Sequence, residues 1–160
     1  MLKAFCKFFF LTIGLSPFFS RAQQSVEDSL NKVITAYKDE AEVARAYNAM
    51  GYEYTRKDIA KARAYFAAAI DIGKKINNAK RLSSSYSALV YLFQGSGQLD
   101  SAEYYINLVK NLVDHATEAE KDALGSNYYT VAALYHKKTG ASQKAIPFFE
   151  KAIALLIKMG

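Results

Sequence analysis

The chain has 160 residues, 51% of them hydrophobic and 14% aromatic. That is enough apolar material for one folded domain, and it excludes general disorder. The formal net charge of +6 includes Lys3, Lys7 and Arg21 near the amino terminus, and the remainder carries only +3. A balance that modest does not argue for a nucleic-acid partner. The only cysteine is Cys6, so residues 23–160 exclude disulfides, thiol catalysis and thiolate metal sites.

Residues 1–22 have the pattern of a secretory signal peptide. Lys3 and Lys7 supply positive charge, Phe8 to Phe19 is almost wholly apolar, and Ser20-Arg21-Ala22 places small residues at the cleavage-specifying positions. The expected mature start is Gln23, and the expected location is periplasmic or extracellular. An uncleaved anchor is disfavoured, because an apolar run broken by Gly14 and Pro17 is shorter than the roughly 20 residues that span a bilayer. Cys6 lacks the preceding pattern of a lipid-modified cysteine. No stable membrane insertion is expected after cleavage.

From Ser25 onward the apolar residues recur at helical spacing, and Pro147 is the only proline. A first helix is predicted from Val26 to Tyr37, capped by Ser25, with Glu27 and Asp28 in its first turn and Leu30, Val33, Ile34 and Tyr37 on its buried face. After it the predicted helices come in pairs. Tyr47 to Ile70, Tyr86 to Val109 and Tyr128 to Ile153 share an aromatic-led first helix, a polar turn and a second helix opening with alanine and aromatics. The turn-adjacent alanines Ala62, Ala102 and Ala145 are 40 and 43 residues apart. A period in this range predicts stacked helical hairpins, each with apolar faces that it cannot bury alone.

These residues resemble the tetratricopeptide repeat (TPR) family. Tyr47, Met50, Gly51 and Tyr54 match the large, large, small, aromatic order of the family's first helix, and Ala62, Phe66 and Ala69 match the small, aromatic, small order of its second. The second unit has Tyr86, Leu89, Val90 and Phe93, then Ala102, Ile106 and Val109. The third has Tyr128, Val131, Ala132 and Tyr135, then Ala145, Phe149 and Ala152. The resemblance implies an all-α fold: an α-solenoid of about three antiparallel hairpins, over approximately 44–77, 83–116 and 125–159, preceded by one extra helix. Small positions such as Gly51 let helix backbones approach, and a large residue there would overpack.

The sequence departs from the family in its spacing. The usual period is about 34 residues, and the additional residues here fall in Asp71 to Leu82 and Lys110 to Ser126, which read as extended helices. The family's proline at the end of the second helix is missing, leaving Asn77-Asn78 to mark one such end, and Pro147 falls early in a helix, where it costs less than it would mid-helix. Longer-period helical repeats are the competing fold.

Nothing in the pattern points to an enzyme, a metal or a cofactor. His115 and His136 fall in different predicted helices, with no partner at metal-ligand spacing. Gly95-Ser96-Gly97 lacks the Lys-Ser/Thr of a phosphate loop and reads as a turn. Asp39, Glu40, Glu42, Glu118 and Glu120 sit near helix starts, where they favour the dipole. The basic pairs Arg56-Lys57, Lys74-Lys75, Lys80-Arg81 and Lys137-Lys138 are expected at helix ends or turns, on a solvated surface.

The expected function is a protein–protein interaction scaffold. In TPR-like arrays the first helices line a concave groove, which implies partner-binding positions at Arg45, Asn48, Tyr52 and Arg56, at Ser84, Ser87, Tyr91 and Gln94, and at Tyr129, His136 and Lys137. Tyrosine, arginine and small polar groups suit a peptide or a partner helix. The form of the groove that grips a terminal carboxylate is disfavoured, because Asn48 is its only match. The alternative functions are the sensory segment of a larger signalling regulator and a glycan-binding protein, and the latter would want tryptophans that this chain lacks. With no polar helix after the last hairpin, either self-association through that hairpin or a longer repeat array is expected.

Overall fold

The computed structural model describes residues 28, 31, 32, 34–36 and 38–160. The leader over 1–22, and Leu30, Val33 and Tyr37 of the first predicted helix, lie outside the described residues. Residues 28, 31, 32 and 34–36 are helical, with Ile34 half-buried. Six helices follow: α1 (Glu40–Tyr54), α2 (Ile59–Lys75), α3 (Ala79–Gly95), α4 (Leu99–Asp114), α5 (Glu118–Lys138) and α6 (Ser142–Met159). There is no strand among the described residues, and the chain is all-α as expected.

Local chemistry explains where the helices start and stop. Asp39 accepts a hydrogen bond from the Ala41 amide at 2.9 Å, Asp58 from Lys61 at 3.0 Å and Asn78 from Arg81 at 3.0 Å, each satisfying an amide that the first turn leaves unpaired. Thr117 and Glu120 form a reciprocal capping box at the start of α5. Asn77, at φ +47°, turns the chain out of α2, and Gly97 does the same after α3 at φ +75°. The residues beyond the usual TPR period lengthen helices: α2 runs to Lys75, α4 to Asp114, and α5 spans 21 residues. Lys80-Arg81 departs from the expectation for basic pairs. It occupies the first turn of α3, where the dipole does not favour a cation, and Arg81 is instead held by Glu42 of α1 at 3.0 Å.

The helices pack in consecutive pairs, α1 with α2, α3 with α4 and α5 with α6, joined by links too short for anything but antiparallel packing. Successive pairs meet through α2–α3 and α4–α5, and their first helices meet through α1–α3 and α3–α5. Among the described residues, the first pair does not touch the third. The core runs through this set, with Phe66, Met50, Leu124, Val90, Val109 and Val131 fully buried.

Gly51 shows why a small residue is required in α1. A Cβ built there would lie 2.3 Å from the Phe66 ring of α2, well inside van der Waals contact. The ring contacts also repeat from pair to pair. Tyr47 and Tyr54 both sit against Tyr65, at 6.3 and 5.6 Å between centroids. Tyr86 and Phe93 both sit against Tyr105, at 5.9 and 5.7 Å. In the third pair Tyr128 meets Phe148 at 6.2 Å, while Tyr135 turns away and donates its hydroxyl hydrogen to Glu103 of α4. Tyr65, Tyr105 and Phe148 each stand three residues after the aligned alanine.

Candidate functional site

The positions expected to bind a partner divide by exposure. Arg45, Tyr52, Arg56, Tyr91 and Lys137 are exposed, and Ser84, Tyr129 and His136 are half-buried. Asn48, Ser87 and Gln94 are buried, at 5%, 2% and 8% exposure. Their burial has a packing cause. Ser83, Ser87 and Ala88 are small, so α1 and α5 close on α3 from both sides. Asn127 of α5 donates to Ser83 across that contact at 2.8 Å. Small polar residues that read as lining for an open surface serve here as spacers between helices.

Burial leaves some of these groups without partners. Asn48 Nδ2 and Oδ1, Ser87 Oγ and Gln94 Nε2 make no hydrogen bond among the described residues. A buried polar group that no partner or water reaches costs about 1–3 kcal/mol relative to its hydrated state.

Tyr52 and Tyr91 come together at the carboxyl ends of α1 and α3, where a pocket of about 380 Å³ opens to solvent. Arg56, Ile59 and Leu92 complete most of its wall. The Tyr52 ring is held edge-on by Phe66 at 5.3 Å, so it is a fixed wall with 45% of the residue exposed. Burial, and secondarily the neighbouring Tyr91 phenol, pushes the Tyr52 hydroxyl up to about 12; burial also raises Tyr91. Both are therefore neutral hydroxyls near neutral pH, able to donate or accept. The last-turn carbonyls around them are already engaged: the Tyr52 carbonyl accepts from Thr55, the Leu92 carbonyl from Ser96 and the Phe93 carbonyl from Gln98.

The third pair contributes differently. His136 stacks near Phe148 at 5.2 Å, and Lys151 lies over the Tyr129 ring at 5.3 Å, so Tyr129 and His136 are tied to α6 and do not join the Tyr52–Tyr91 pocket. His115 points its Nδ1 at the Asn111 carbonyl, at 2.8 Å. Among the described residues, no three of His, Cys, Asp and Glu converge as a metal site would require, and no helix is long and apolar enough to cross a membrane.

Sequence reasoning selected Tyr52, Arg56 and Tyr91 from their repeat positions. It missed Ile59 and Leu92, which only the helix-end geometry shows beside the pocket. The chain matches no protein-family model and no curated protein sequence.

Proposed function

We propose that the chain is an exported TPR-like scaffold whose helix hairpins stack as a short solenoid, and that it binds a peptide or a partner helix on the face shared by α1, α3 and α5. The observation that carries this reading is the pairing of two exposed tyrosines, one of them anchored on the Phe66 ring, with an arginine around one open pocket on that face. Exposed tyrosine and arginine supply contact area at low entropic cost. The solenoid reading is supported by contacts confined to successive pairs and by the recurrent aromatic clasp on Tyr65 and Tyr105. Export rests on the pattern of residues 1–22, and amino-terminal sequencing of the protein recovered from its source cell should read from Gln23.

The test of binding is affinity capture from a cell-envelope extract with the full chain as bait, compared with a Tyr52→Ala, Tyr91→Ala double variant. A protein retained by the first bait and lost with the second supports the scaffold. Equal retention by both folded baits, or none by either, sinks it. A second contact, between copies of the chain, is supported by the exposed aliphatic stripe of Ile146, Ile153, Leu156 and Ile157 on α6. Light scattering of the chain and of an Ile153→Glu, Ile157→Glu variant should then show a smaller species for the variant.

A further inference from the structure

We propose that the Tyr52–Tyr91 pocket selects an acidic partner segment, one that presents a carboxylate next to an aliphatic side chain. The inference deepens the scaffold reading and rests on it.

The charge inventory of the pocket is one-sided. Among the described residues, Arg56 is its only ionic wall residue and no carboxylate lines it. Nearby cations are already matched: Lys57 is paired with Glu53, and Arg45 with Glu42 at 2.6 Å. Arg56 enters no ion pair among the described residues. A guanidinium with five donors and no acceptor can be satisfied only by an acceptor, best of all a carboxylate.

The remaining groups are consistent with that choice. The two phenols hold their protons, so an anion meets donors there and not phenolate repulsion. The Tyr52, Tyr54, Leu92, Phe93 and Gln94 carbonyls at the ends of α1 and α3, which would otherwise favour a cationic ligand, are engaged by backbone amides and hydroxyls of the following turns. Ile59, 45% exposed, and Leu92 then offer apolar contact beside the charge. A volume of about 380 Å³ is at the small end of ligand pockets, which start at about 300 Å³, and suits one or two side chains.

The experiment is an amide NMR titration of the full chain with three defined probes: acetyl-Leu-Glu-amide, acetyl-Leu-Gln-amide and acetyl-Leu-Lys-amide. The expected result is saturable shifts at Thr55, Gly95 and Ser96 with the glutamate peptide, weaker by about fivefold with glutamine, as loss of a charge-assisted bond at an open site implies, and absent with lysine. In Arg56→Gln, whose dispersed spectrum reports its folding, the glutamate and glutamine peptides should become equivalent. Equal shifts from all three peptides at the pocket would overturn the acidic preference while leaving peptide binding intact. Persistence of the preference in Arg56→Gln would overturn the role of Arg56, and no shift from any probe would overturn the pocket as a peptide site altogether.

Discussion

At the scale of single residues, the close approach at Gly51 makes a sharp claim. A methyl group there would meet the Phe66 ring, which is itself fully buried, so neither side can yield cheaply. Gly51→Ala should destabilise the fold by about 1–3 kcal/mol, despite alanine's better helix propensity, as read from a urea midpoint. The small class of this residue was legible in the sequence. Its partner was legible only as a pattern, since the 2.3 Å approach belongs to the pairing of α1 with α2. Tyr52 yields a pH claim. Its hydroxyl rises from 10.0 to about 12 on folding, so the folded state holds that proton more tightly than the unfolded one. The associated stability is present below about pH 10 and is lost as pH rises to about 12. In alkaline unfolding, Tyr52→Phe should lose stability less steeply across that window than the parent chain.

At the scale of elements, stability depends on junctions as much as on faces. Asn77 and Asn78 end α2 and begin α3 within two residues, one by its left-handed backbone and the other by its side chain. Asn78→Ala leaves the Arg81 amide without its cap and should cost about 1 kcal/mol, measured as a lower melting temperature with helical content retained below it. Such signals act over three or four residues, which is why helix type could be read directly, whereas the units placed from about 44, 83 and 125 begin at Glu40, Ala79 and Glu118. The charge at Lys80-Arg81 could not, because what holds Arg81 in an unfavourable first turn is Glu42 on another helix.

At the scale of the whole molecule, equivalent positions on the second helices meet different fates. Ile70 of α2 is 7% exposed under α3, whereas Ile153 of α6, eight residues after its own aligned alanine as Ile70 is after Ala62, is 54% exposed. Ile70→Ala should therefore cost about 2–5 kcal/mol. Ile153→Ala should stay within about 1 kcal/mol in dilute solution, where no neighbouring copy covers it; denaturant unfolding of the two variants checks the pair.

That contrast marks where sequence information stops for this protein. Helical period and the alternation of aromatic with small residues are local, so the sequence by itself determined an all-helical chain with paired helices. Tertiary structure decided which face stayed open. Asn48, Ser87 and Gln94 look as polar as any groove residue, yet small neighbours allow the first helices to close over them. Tyr52 and Tyr91, near the carboxyl ends of the same helices, remain exposed. Burial is set by the spacing between helices, and that spacing is a sum over side chains distant in sequence, which no local pattern can report.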